Sequence, residues 1–104
     1  MQTQIIEVRT GGRETVRDIT GECAEFARSA SDGGDGLLPA DEHWRHAHGS
    51  RGHGRSHVLP AFIPPYATVP VIGGRLALGT WQSIALVDLN VDNPDRRVRL
   101  SFLS

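Results

Sequence analysis

Residues 43–57 read HWRHAHGSRGHGRSH, and this stretch divides what the chain can build. It holds all five histidines, three arginines and three glycines, and no β-branched residue. A core strand is written with β-branched and aromatic side chains, and an amphipathic helix with apolar residues three and four apart; the stretch offers neither pattern. Glycine frees the backbone, while imidazole titrates near neutrality and ligates metals. The stretch is therefore predicted to be a loop that handles protons, phosphate or a metal. Regular structure has to come from the residues on either side of it.

On the N-terminal side, Thr3 to Arg9 alternate loosely, with Ile6 and Val8 on one face and Ile5, Glu7 and Arg9 on the other. This predicts a strand. Gly11-Gly12 marks a turn, and Thr15 to Ile19 form a second strand or a lead-in. From Ile19 the period changes. Ile19, Cys23, Phe26, Ala27 and Ala30 fall on one helical face, with Asp18 or Thr20 placed to cap the first turn. Glu22 near the start and Arg28 near the end suit the helix dipole. Cys23 on the apolar face reads as a buried structural thiol. Ser31 to Gly36 (SDGGDG) read as a plain connector, since no P-loop lysine follows and two aspartates would repel an anion. Leu37, Leu38 and Pro39 then lead into a polar approach to the histidine stretch.

On the C-terminal side, Pro60, Pro64 and Pro65 limit Val58, Leu59 and Phe62 to a short turn at most. Ala67 to Ile72 read as a strand, Gly73-Gly74 as a hairpin turn, and Arg75 to Leu89 as one long or bent strand. Gly79 in its middle suggests a bulge or a close backbone approach. Asn90 to Asp95 read as a turn-rich loop. Val98, Leu100 and Phe102 alternate with Arg97, Arg99 and Ser101, which predicts a final strand with one buried face. The sum is an α+β fold, one main helix packed on a mostly antiparallel sheet.

The 104 residues suit a single domain, 1–104. At 38% hydrophobic the core is modest, and self-association would bury more apolar surface. A formal charge of −1 gives no basic field for nucleic acid. Every basic residue is arginine, which excludes a lysine Schiff base or lysine general base. One cysteine excludes an intrachain disulfide and fits a reducing compartment. The N-terminal MQTQIIEVRT lacks the pattern of a signal peptide, and no apolar run approaches a membrane span. A cytoplasmic protein that binds neither membrane nor nucleic acid is expected.

Gly74-Arg75-Leu76-Ala77-Leu78-Gly79-Thr80-Trp81-Gln82 resembles the G-R-L-x-L-G-T-W-Q signature of the YjbQ family, small α+β proteins often described as secondary thiamine-phosphate synthases. The family's upstream histidine pair is matched by His46 and His57. Asp88 stands where glutamate is usual, and Arg96-Arg97 match an arginine pair before the last strand. The chain departs from the family between the first helix and the histidine stretch. Relatives carry there a central strand and helix with an H-T-T/A-A-x-L-x-x-N-E pattern. Here GGDGLL runs directly into PADEHW, so the Leu37-Leu38 junction, near residues 36–39, reads as an excision of roughly thirty residues. Loss of a central strand would leave unpaired sheet edges. His53 and Gly54 stand where the family tends to have Asn or Asp and Met, and Leu59 where lysine is common.

The resemblance implies a transferase that couples a pyrimidine diphosphate to a thiazole phosphate. It also implies a small phosphorylated ligand as partner and a homotrimer. His46, His57 and Asp88 are the catalytic candidates; Arg75, Thr80, Trp81, Gln82 and Arg97 are the substrate-binding candidates. His46 and His57 are also the candidates for a divalent metal, Mg²⁺ or Zn²⁺, although no Cys or Glu completes a known zinc pattern. Trp81 reads equally as core or as a stacking wall, and Gln82 as a pocket donor and acceptor. Arg96 reads as exposed turn charge. Asp88 reads equally as a functional carboxylate or an ordinary strand-end residue. The other class of reading is a catalytically inactive scaffold or ligand-binding member, with a metal bound through the histidine loop in reserve.

Overall fold

The computed structural model describes residues 1–11, 15–42, 66–88 and 95–104. The loop expected at 43–57, with His46, His57 and Trp44, lies outside the described residues, as do Val58, Leu59 and Phe62. Among the described residues seven strands and one helix follow in the order β1 (Gln2–Arg9), β2 (Thr15–Asp18), α1 (Thr20–Ser31), β3 (Gly36–Glu42), β4 (Tyr66–Ile72), β5 (Arg75–Leu76), β6 (Ala85–Asp88) and β7 (Asp95–Phe102). One sheet runs β1-β7-β3-β4-β5 and a second pairs β2 with β6. All of these pairings are antiparallel. The α+β reading holds, with α1 packed on the inner face of the larger sheet.

That inner face follows directly from strand parity. Val8, Leu38, Ala40, Val69, Val71, Val98, Leu100 and Phe102 point inward, and Ile19, Cys23, Phe26 and Ala27 of α1 close over them. The helix ends at Asp32, which adopts a left-handed φ of 50°, followed by Gly33 at 80°. Neither Asp18 nor Thr20 is the helix cap: Ile19 stands at the N-cap with no side-chain cap bond, and Asp18 Oδ1 accepts the Thr20 N–H at 2.8 Å from just outside it. Hydrogen bonds from the Thr20 hydroxyl, and then from its backbone, hold the Asp18 carboxyl below the usual aspartate range.

Two predicted elements differ. Residues 36–42, expected as connector and polar approach, form β3 in the middle of the sheet, hydrogen-bonded to β4 on one side and β7 on the other. The sheet is thus continuous across its centre. A proline stands inside this strand. In β3 the odd-numbered N–H groups face β7, since Leu37 and Leu103 exchange backbone hydrogen bonds at 2.7 and 2.8 Å. Pro39 would donate next in that series and has no N–H. The ladder therefore breaks after the isolated Leu37↔Leu103 bridge and resumes at Ala40↔Leu100. Gly36 is needed at the strand's start, because a Cβ there would overlap the Leu103 carbonyl and the Phe102 ring.

The long strand expected from Arg75 to Leu89 is instead two short ones in different sheets. Pro70 gives the reason. Its carbonyl accepts Ala77 N–H at 2.8 Å, but it returns no N–H to Ala77, so β5 stops after two residues. The chain then leaves the sheet and pairs again only as β6 with β2.

Cys23 is fully buried, as expected of a structural thiol. Burial first, then the nearby Glu22 and Asp18 carboxylates, push its pKa up to about 11 from an ordinary 9.0. With the folded value above the unfolded one, this thiol's contribution to stability is intact below 9.0 and is lost as the pH rises toward about 11. Near neutral pH Cys23 is a protonated, enclosed thiol. A disulfide reagent is expected to modify the native protein at least about 100-fold more slowly than the urea-unfolded chain; equal rates would show an accessible thiolate. Among the described residues no helix is long and apolar enough to cross a membrane.

Candidate functional site

The signature segment begins with a tight hairpin. Gly73 and Gly74 have φ of 58° and 80°, the two consecutive positive values that a two-residue turn of this hand requires. The turn is fastened to the loop after α1: Gly73 N–H donates to Asp35 Oδ1 at 2.8 Å and Gly74 N–H to the Gly34 carbonyl at 2.9 Å. The SDGGDG connector thus holds the base of the signature.

After β5 the chain makes a second turn at Gly79-Thr80-Trp81-Gln82. Gln82 N–H donates to the Gly79 carbonyl at 3.0 Å, and Gly79 N–H returns a 2.7 Å bond to Gln82 Oε1. This reciprocal pair fixes the carboxamide: the oxygen faces the backbone, so the Nε2 donors face away from it. Two residues on, Ile84 N–H donates to Thr20 Oγ1 at 2.8 Å, and Ile19 N–H donates to the Ile84 carbonyl at 2.9 Å. The turn is therefore tied to the start of α1. What it displays is Trp81, 96% exposed. The core alternative for Trp81 is excluded. The indole stands in solvent on a turn closed by two hydrogen bonds.

Between this segment and α1 runs an open groove of about 630 Å³. Thr20, Ala24, Glu25 and Arg28 line it from the helix; Gly74, Arg75, Leu76, Leu78 and Gln82 line it from the signature. Two predicted binding residues, Arg75 and Gln82, thus share a wall, and Thr80 and Trp81 sit on the adjoining turn. Arg28 and Glu25 were missed as site residues. The available signal was the stripe Thr20, Ala24, Arg28, four residues apart along the helix and flanking the apolar face.

Asp88 and Arg96 form a different cluster. Arg96 Nη2 and Nε donate to Asp88 Oδ1 and Oδ2 at 2.8 and 3.0 Å, and Thr10 Oγ1 donates to Oδ2 at 2.6 Å. All three residues are buried. The reading of Arg96 as exposed turn charge is corrected. Strand parity is the reason, since Arg96 shares its face with Val98, Leu100 and Phe102. The same geometry gives Asp88 a structural post joining β6 to β7 and the end of β1. Arg97 points the other way. It is exposed and lies 3.6 Å from Glu7 on the outer face of the sheet, away from the groove. It is not brought together with Arg75 and Gln82, contrary to its expected place among the binding residues.

Among the described residues no three His, Cys, Asp or Glu side chains converge where an ion could sit. The described donor set does not fit a metal centre, and His46 and His57, named for that role and for catalysis, lie outside the described residues.

The part of the chain that carries the signature has counterparts among known sequences. The family model for UPF0047 protein YjbQ-like matches residues 34–104, well over half of the chain. The chain belongs to the YjbQ family. A UPF0047 protein of Mycobacterium bovis is 69% identical over 67 residues, covering 64% of this chain and 52% of the relative. A UPF0047 protein of Methanothermobacter thermautotrophicus is 38% identical over 68 residues, covering 64% of this chain and 46% of the relative. The YjbQ chain described here spans about half the length of these curated relatives. Among solved structures it is similar to a YbjQ-like protein of unknown function from Sulfolobus solfataricus, with a TM-score of 0.82 at 20% identity over 99% of this chain and 96% of that one. A hypothetical protein from Aeropyrum pernix gives a TM-score of 0.74 at 29% identity over 100% of this chain and 99% of that one. The first of these likenesses speaks for the fold alone.

Proposed function

We propose that this YjbQ-family chain binds a small phosphorylated heteroaromatic ligand at the GTWQ turn, and that the reaction belonging to such a ligand is of the thiamine-phosphate synthase type. The observation that carries the reading is the turn itself. It holds the Trp81 indole in solvent and fixes the Gln82 carboxamide with its donors outward. An exposed aromatic face is costly to leave in water and offers a planar ligand a stacking surface, while a pre-set amide donor fixes that ligand's orientation.

In the transferase reading the bond between the pyrimidine's methylene carbon and the diphosphate oxygen breaks, the thiazole nitrogen bonds to that carbon, and pyrophosphate leaves. His46 and His57 are assigned the proton and diphosphate contacts, and Arg75 the phosphate of the thiazole partner. A second reading, ligand binding without turnover, is favoured by Asp88, whose carboxylate is taken up by Arg96 and Thr10. Homotrimer formation belongs to the same proposal, since Tyr66 and Ile72 are exposed apolar surface that association would cover.

The test combines binding with turnover. The pyrimidine diphosphate is expected to quench Trp81 fluorescence in the intact protein and to lose that effect in Trp81→Ala. Thiamine phosphate formed above a His57→Ala control supports the transferase; retained binding without product supports the second reading. Absence of binding by either precursor would sink both.

A further inference from the structure

The groove between α1 and the signature has a chemistry of its own. Its charged groups are Arg28 from the helix and Arg75 from β5, with Glu25 the one acidic side chain lining it. Among the described residues none of the three takes part in an ion pair; the described pairs are Arg96–Asp88, Arg97–Glu7 and Arg99–Asp41. Gln82 adds Nε2 donors, its Oε1 being held by the Gly79 N–H. The wall between these heads is apolar, made by the half-buried Leu76 and Leu78. The polar groups therefore offer mainly donors beside an apolar floor, with a formal charge of +1 from two guanidiniums and one carboxylate.

We propose that this groove is a binding site for a small organic anion with one anionic head and an apolar body, and that Arg28 and Arg75 together grip the head. Guanidinium is suited to planar, two-point recognition of carboxylate or phosphate oxygens, and two of them from different elements define a position that neither fixes alone. Glu25 sets the limit on charge. A head of one or two negative charges matches the groove, whereas a diphosphate meets the carboxylate's repulsion. Leu76 and Leu78 give the body a surface to leave water on, so the whole molecule binds better than its head. The inference rests on the ligand-binding reading above and deepens it by adding Arg28, which lies outside the signature, and by naming a phosphate monoester or a carboxylate rather than a diphosphate.

The experiment is calorimetric titration of the full chain with phenyl phosphate, benzoate and inorganic phosphate, on the unaltered protein and on Arg28→Gln, Arg28→Lys and Arg75→Gln. Phenyl phosphate or benzoate is expected to bind at least about 10-fold more tightly than inorganic phosphate. Each Arg→Gln change is expected to weaken it by about 10-fold or more, with Arg28→Lys recovering part of the loss. The first two anions separate the phosphate and carboxylate sources. Arg28 is exposed and glutamine is as good a helix former, so an unchanged helical circular dichroism signal and melting curve guard against misfolding. Equal affinity in Arg28→Gln, or inorganic phosphate binding as well as phenyl phosphate, would overturn the clamp while leaving Trp81-dependent binding intact. Failure of every anion to bind overturns the clamp too, and the pyrimidine diphosphate titration against Trp81→Ala reports separately on the ligand-binding reading.

Discussion

Arg96→Met is expected to lower the unfolding free energy by about 3–5 kcal/mol, because it takes the two-pronged guanidinium away from the buried Asp88 carboxylate. The pair is two-pronged and almost wholly out of water, and a hydroxyl such as that of Thr10 carries no charge to replace the guanidinium's. Its position makes the loss structural rather than local. Asp88 closes β6, Arg96 lies near the start of β7, and Thr10 directly follows β1, while the Thr15 hydroxyl at the start of β2 donates to the Thr10 carbonyl at 3.2 Å. The cluster is where the two-stranded sheet is joined to the five-stranded one. A domain of this size is typically stable by about 5–15 kcal/mol, so the single substitution removes a large fraction of it. Combining it with Asp88→Leu should return part of the loss, since an apolar pair avoids the stranded charge. Urea unfolding curves measure both. A cost below about 1 kcal/mol for Arg96→Met would mean that water reaches the carboxylate and that the pair is not the seam between the sheets.

The parts of the fold that were legible are those where one periodicity governs a segment. In β7, Val98, Leu100 and Phe102 alternate without interruption, and in α1 the face of Ile19, Cys23, Phe26 and Ala27 is apolar throughout. The Gly73-Gly74 turn was legible because only glycine takes two positive φ values in succession without strain. The failures lie at proline. Pro39 stands inside a strand that was read as an approach to the histidine stretch, and its missing N–H costs only one rung of the β3–β7 ladder. Pro70 acts on its partner, ending β5 from across the hairpin, an effect invisible until the register is known.

The site was legible in the same uneven way. Arg75 and Gln82 were found through the signature and do share a groove. Arg28 was read only for its effect on the helix dipole, since nothing in a sequence says which strand a helix flank will face. Arg96 and Arg97 are adjacent and chemically alike, but parity sends one inward to Asp88 and the other outward to Glu7. Residue type alone made Arg96 exposed turn charge and Arg97 a binding candidate; attention to the alternation that already defined β7 would have buried Arg96.

Leu38→Ala is expected to destabilise the protein by about 2–5 kcal/mol and Leu37→Ala by less than about 1 kcal/mol. The two residues are neighbours of identical chemistry, so the difference between them measures only the register of β3. Leu38 is 0% exposed and pairs with Val69 on the inner face, whereas Leu37 is 44% exposed on the outer face. Truncating Leu38 opens a cavity beneath α1 that the packed sheet can close only in part. Truncating Leu37 removes atoms that already touch water. A slip of β3 by one residue would exchange the two faces and invert the result. The comparison therefore also bears on the groove. The loop entering β3 carries Gly34 and Asp35, which hold Gly74 and Gly73 and so the base of the signature. If Leu37→Ala proved the costlier change, β3 would lie in another register, those two hydrogen bonds could not both form, and Arg75 would lose the support that places it opposite Arg28.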